Sequence, residues 1–189
     1  IKQIIKATGD NVKGIRDRAL ILVGFAGGFR RSELAALRVE DIAFIDAGME
    51  VTFRRGKTDQ EGKGRKLGIP YGSNPMLCPV RSLRDWIEAA KLTDGPLFRS
   101  VDRHGNVGES LCPQAVRLII LELAESAGMD KKRFGSISLR AGFVTKDVLN
   151  GASDRAIMNQ TGHKSAAMVR RYIRDSDLFR ENASLCLGL

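Results

Sequence analysis

Between residues 42 and 70 the hydrophobic pattern changes period, and that change constrains the fold more than any other feature of the chain. "IAFI" (42–45), "EVTFRR" (50–55) and "RKLGIP" (65–70) read as short strands. Asp46-Ala47-Gly48 forms a turn between the first two, and the glycine-rich segment 56–64 a longer loop between the last two. Strands joined so closely pair antiparallel, with the basic loop projecting outward. On either side the period is helical. Residues 16–26 predict an apolar helix ending at Gly27-Gly28, and "RRSELAALR" (30–38) a second. Residues 79–91 predict a helix with Pro79 at its first position and Val80, Leu83, Ile87 and Ala90 on one face, Trp86 lying beside that face in the core. Residues 95–110 read as mostly loop, and 113–127 as a helix stopped by Gly128. Ser138 is expected to cap a helix running to about Asn150, and Ser153 a short one ending at Gly162. The fold class is therefore mainly α with a small three-stranded antiparallel β-sheet.

At 189 residues the chain fits one domain. The longest apolar run, "ALILVGFAGGF" (19–29), is flanked by charges and too short for a membrane span, which needs roughly 18 apolar residues. The N-terminus lacks a signal peptide's pattern and begins without methionine, so a fragment of a longer, cytoplasmic protein is expected. Three cysteines (Cys78, Cys112, Cys186) far apart, with only two histidines, do not suggest a zinc site, and reduced thiols are the simpler reading. No metal or other cofactor is expected.

The net charge of +9 and pI of about 9.8 favour a polyanionic partner. "FRRGKTDQEGKGRK" (53–66) concentrates six basic residues against two acidic ones. Aromatic residues make up only 6%, too few for the stacking platforms of single-strand binders, so contact with the backbone of double-stranded DNA fits better. "GKT" (56–58) matches the end of a P-loop, but Val51 stands where its first glycine belongs and the segment leads into a strand.

"TGHKSAAMVRRYI" (161–173) holds one of the two histidines, His163, and one of the two tyrosines, Tyr172. On one continuous helix, nine steps of about 100° would set them on opposite faces. Gly162 ends the preceding helix and Ser165 is a good cap for the next, so His163 belongs to a turn that lets the imidazole swing toward the tyrosine. The other histidine, His104, sits in a solvated turn, and the other tyrosine, Tyr71, ends a strand. A tyrosine nucleophile has a pKa near 10, so roughly one in a thousand is ionised at neutral pH, a cost of about 4 kcal/mol that cationic neighbours reduce. A phosphodiester under attack calls for arginines at its oxygens and a proton donor for the leaving 5′-oxygen. Arg30, after the Gly27-Gly28 break at a helix start whose amides favour an anion, and Arg140, near another helix start, are the candidates by context. A lone arginine is a solvated surface residue more often than a catalytic one.

The pattern as a whole resembles the tyrosine recombinases, the integrase-type site-specific DNA recombinases. "GFRRSELAALRVEDI" (28–42) is similar to their first arginine motif, "RRGKTDQEGKGRKLGIP" to their lysine-bearing hairpin, "SLRAGF" to their second arginine motif, and "TGHKSAAMVRRYI" to their closing histidine–tyrosine motif. The resemblance covers residues 16 to about 175 in the family's order. It implies the family's catalytic domain over 1–175, with Arg30 and Arg140 clamping the scissile phosphate. Lys57 would protonate the leaving 5′-hydroxyl, His163 would hydrogen-bond a phosphate oxygen, and Tyr172 would form a 3′-phosphotyrosyl bond without metal or ATP. Arg31, Arg54, Arg55, Lys63, Lys164 and Arg171 are expected to contact DNA. The resemblance further implies a monomer that assembles as a tetramer on DNA, and a tail, 176–189, that packs on a neighbouring protomer. Nothing in the chain corresponds to the family's N-terminal DNA-clamping domain, so weak, salt-sensitive binding is expected.

One position departs from the pattern. The second arginine motif normally reads His-x-x-Arg, and here Ile137 stands in the histidine's place. Isoleucine neither takes the tyrosine's proton nor hydrogen-bonds the phosphate, and such assistance is worth roughly 10²–10⁴ in rate. Two other readings follow: a catalytically impaired DNA-binding domain, and a nicking-closing enzyme like the type IB topoisomerases.

Overall fold

A computed structural model describes residues 1–53, 64–135, 138–163 and 165–170. The chain opens with a short helix, α1 (Lys2–Lys6), absent from the sequence expectation, whose Ile4 and Ile5 are buried. The apolar run becomes the end of α2 (Val12–Ala26), in which Ala19 to Val23 are consecutively buried. A stretch apolar on all sides can only be central, and this half of α2 is the hub of the core. The helix begins four residues before the expected start because the Asn11 side chain accepts from the Gly14 amide as its cap. After α3 (Arg31–Ala36) come β1 (Ile42–Ile45), β2 (Gly48–Phe53) and β3 (Arg65–Pro70), antiparallel in the order β1-β2-β3. The expected three-stranded sheet is present, with β2 reaching back to Gly48, which pairs with Ile45.

Against α2 packs α4 (Pro79–Ala89), opened by proline as expected. Its buried face is rotated from the prediction: Val80, Leu83 and Trp86 are fully buried, whereas Ile87 and Ala90 are half-buried. The indole causes this, since its Nε1 donates to the Leu97 carbonyl at 2.8 Å and the large ring then enters the core with its polar atom satisfied. Residues 95–110, read as mostly loop, contain an antiparallel hairpin, β4 (Arg99–Val101) and β5 (Val107–Ser110). Its turn is organised by the Asp102 carboxylate, which accepts from the amides of His104 and Asn106 and from the Asn106 side chain. His104 is exposed there.

The helices α5 (Pro113–Ser126), α6 (Ser138–Leu149), α7 (Asp154–Thr161) and α8 (Ala166–Arg170) complete the described chain. Ser153 caps α7 through the Ala156 amide, and Gly162 ends it in the left-handed conformation at φ +67°, as the sequence predicts. Ser138 does not cap α6: it is the first helical residue, and its Oγ accepts backwards from the Gly135 amide at 2.6 Å. The caps of α4 and α5 are Cys78 and Cys112, each directly before a proline, whose sulfurs accept from the Arg81 and Ala115 amides. Both thiols are free. Among the described residues no helix is long and apolar enough to cross a membrane.

Candidate active site

The site begins where α2 stops. Gly27 keeps helical dihedrals, but Gly28 turns left-handed at φ +58°. A Cβ on Gly28 would lie 2.9 Å from Thr161 Cγ2 and 3.0 Å from Phe143 Cδ1, so this position also allows α6 and α7 to approach the backbone. Phe29 then buries its ring, and Arg30 stands just ahead of α3. Glu33 fixes Arg30 at both ends: its Oε2 accepts from the Arg30 amide at 2.8 Å and its Oε1 from Arg30 Nη1 at 2.7 Å. One amide of this helix start, that of Arg30, is therefore already occupied. The Arg30 side chain is 39% exposed and able to meet a ligand while braced.

Arg140 comes from the first turn of α6 and is only 2% exposed. Its Nη1 donates to the Gly28 carbonyl at 3.0 Å and its Nε to His163 Nε2 at 3.3 Å. A buried guanidinium costs much less when such partners hold its protons. The break after α2 thus orients both arginines, Arg30 through the chain and Arg140 through the carbonyl of Gly28.

His163 occupies the turn between α7 and α8, as expected, and is 7% exposed. Thr161, fully buried, donates from Oγ1 to the Ile157 carbonyl and lies 2.8 Å from His163 Nδ1. With its proton committed to that carbonyl, the hydroxyl is left to accept. Nδ1 then carries the imidazole hydrogen and Nε2 accepts from Arg140. Burial, then the charges of Arg140 and Arg30, pull the His163 pKa down from 6.5 to about 4, with Glu33 opposing them. The ring is accordingly neutral at pH 7. An anion arriving between the two guanidiniums would cancel the repulsion and favour the imidazolium, which then donates from Nε2.

Three of the sequence candidates thus come together from distant parts of the chain: Arg30, Arg140 and His163. Arg31 reaches toward Gln114 on α5, its Nη1 3.5 Å from Gln114 Oε1. Lys57, Tyr172, Ile137 and the DNA-contact candidates Arg54, Arg55, Lys63, Lys164 and Arg171 lie outside the described residues. Glu33 and Thr161 were not singled out from sequence. Glu33 had a signal, since a carboxylate at the third residue of a helix commonly accepts from the residue ahead of it. Among the described residues no three His, Cys, Asp or Glu side chains gather as a metal-binding group.

The sequence model of the phage integrase family matches residues 1–178. An integrase/recombinase xerD homolog of Selenomonas ruminantium is 39% identical over 175 residues, which are 92% of this chain and 51% of that protein. The crystal structure of XerA recombinase superposes with a TM-score of 0.68 at 22% identity, covering 99% of this chain and 59% of that one. XerH site-specific recombinase, in a post-cleavage complex with its palindromic difH substrate, gives 0.69 at 18% identity, covering 92% and 47%. These likenesses are to the fold. The chain spans about half the length of the curated relatives it matches.

Proposed function

The chain belongs to the phage integrase family, and on that premise we propose that residues 1–175 are the catalytic domain of a site-specific DNA recombinase that breaks and rejoins DNA through a tyrosyl ester. The observation that carries this reading is the convergence of Arg30, Arg140 and His163, from three separate elements, on one cationic cluster. A diester phosphate is the ligand that such a cluster suits: two fixed guanidiniums match its two non-bridging oxygens.

In the proposed reaction Tyr172 Oη attacks phosphorus while Arg30 and Arg140 hold the two oxygens. The P–O5′ bond breaks, Lys57 gives its proton to the leaving 5′-oxygen, and a 3′-phosphotyrosyl ester remains. The phenol's proton needs an acceptor, and with isoleucine at 137 we assign His163 Nε2, which gives up its bond from Arg140 Nε to take that proton. The resulting imidazolium then donates to a phosphate oxygen, which unites the two roles in one residue. The ester keeps the energy of the broken bond, so a second 5′-hydroxyl rejoins the strand by the reverse step. Double-stranded DNA is the proposed partner, with Arg31, Arg54, Arg55, Lys63, Lys164 and Arg171 on its backbone. A tetramer on DNA is the proposed assembly, the tail at 176–189 passing to a neighbour, and the cytoplasm the place of action.

A nicked duplex that loses a short fragment on cleavage tests the reading by trapping the intermediate. The expected result is a protein–DNA adduct that survives SDS and disappears in Tyr172→Phe. An adduct that persists in that variant, or none with any nicked duplex, overturns the reading.

A further inference from the structure

Arg65, the first residue of β3, meets the C-terminal turn of α7. Its Nη1 donates to the Gln160 carbonyl at 3.3 Å, and a Cβ on Gly162 would overlap the same nitrogen. The guanidinium lies over the Phe53 ring, 4.8 Å from its centroid, and Phe53 stands edge-on to Phe29 at 5.1 Å. Phe29 adjoins Arg30. From the other side the Gln160 amide donates to the Ala26 carbonyl at 3.1 Å and toward that of Gly68, on β3, at 3.5 Å. The end of α7 is thereby tied to β3 twice and to α2 once. A cation at this end also meets the negative pole of the helix.

The path from this tie to the site is three residues long and stiff. Thr161 is fully buried with its hydroxyl committed at both ends, and Gly162 is held in one left-handed conformation. A displacement at Gln160 therefore passes to the His163 ring with little loss. We propose that Arg65 is a positioning residue: by clasping the turn at Gln160–Gly162 to β3, it sets the His163 imidazole against Arg140. Desolvation pushes the Arg65 pKa below its ordinary value, while Glu33 raises it and Arg30 lowers it, as befits a guanidinium held beside the cluster. Its bulk and planarity matter here as much as its charge, because the stack on Phe53 fixes the direction in which Nη1 points.

The test uses the full chain on a His104→Asn background, so that NMR observes one imidazole. In Arg65→Ala the His163 ring resonances are expected to shift and its titration midpoint to rise from about 4 toward 6.5, with the other backbone resonances retained. Arg65→Lys keeps the charge but not the stack and should fall between. Should Arg65→Ala fail to fold, Phe53→Leu, which removes the ring beneath the guanidinium, should move the midpoint less and in the same direction. His163 resonances and midpoint unchanged in whichever variant folds would overturn the proposal. A second arm rests on the function proposed above. At saturating nicked duplex, adduct formation should fall about a hundred-fold in Arg65→Ala, the scale of an ångström's misplacement, with KM for the duplex unchanged. A loss confined to KM would make Arg65 a direct phosphate contact and overturn the clasp. If the parent chain forms no adduct, the recombinase reading fails, and the imidazole arm still decides the clasp.

Discussion

Around α2 and α4 the interior is continuous: Leu20, Ile21, Val80, Leu83 and Trp86 are fully buried, and the sheet closes one side with Met49 and Ile69. Among the described residues of α6, α7 and α8 a second, separate cluster holds four buried apolar residues, Phe143, Val144, Ile157 and Val169. Arg30 stands on the first body, His163 on the second, and Arg140 at the seam, one residue after Leu139, which enters the large core. The two bodies meet through the edge-on pair Phe25–Phe143 at 6.4 Å, the close approach at Gly28, and hydrogen bonds to the carbonyls of Ala26 and Gly28. A small apolar cluster opens at lower free-energy cost than a large one. The geometry of the site is thus only as durable as its smaller half, and damage at the seam should reach the chemistry before it reaches global stability.

Arg140→Ala should be the most severe break. It leaves His163 Nε2 and the Gly28 carbonyl without this donor and removes one of the two proposed phosphate clamps. Loss of one such donor costs roughly 10²–10³ in rate, and a single-turnover assay on the nicked duplex should show at least that. Next comes Ile137→His, which adds a proton acceptor immediately ahead of α6. Adduct formation should rise by about 10²-fold, the lower end for general acid–base assistance, with Tyr172 still required.

Two core truncations separate the bodies directly. Leu20→Ala and Ile157→Ala should each cost about 2–5 kcal/mol. The first should appear as a lower midpoint of global urea unfolding. The second should appear as faster amide exchange confined to α6–α8 and as lost activity at a nearly normal midpoint. Equal effects on both measurements would merge the two bodies into one.

The smallest effect is on pH. His163 titrates near 4 when folded and near 6.5 when unfolded, so the unfolded chain binds more protons between those values. Stability of the small body should therefore be full above 6.5 and fall on acidification toward 4. Asp147 on α6, whose carboxyl burial raises above 3.8, works in the opposite sense just above that value. Amide exchange in α7 as a function of pH, with and without His163→Gln, isolates the histidine's share.

Much of this was legible in the chain. β1 and β3 appear within their predicted limits because turn chemistry and a period of two act locally. The hairpin of β4 and β5 was not legible, since its strands are short and polar and its turn depends on the Asp102 carboxylate. That Trp86 enters the core more fully than Ile87 or Ala90 was not legible, since its indole answers to Leu97, outside the helix. At the site, helix-start context and the family resemblance pointed to Arg30 and Arg140, and the resemblance to His163, but their convergence needs the left-handed step at Gly28, which the sequence motifs do not specify. Arg65 carried no local signal at all. Its role depends on a ring across the sheet and a carbonyl 95 residues away.

The two-residue path from Gly28 to Arg30 has a consequence for how this chain tolerates changes in length. The turn at 102–106 lies on the surface and should accept an extra residue there with modest harm. An extra residue between 28 and 30 would move one guanidinium along the chain while leaving the other tethered to its carbonyl, spoiling the proposed match to a tetrahedral anion. Length polymorphism in working variants of this domain should therefore avoid that link, however freely side chains around it vary.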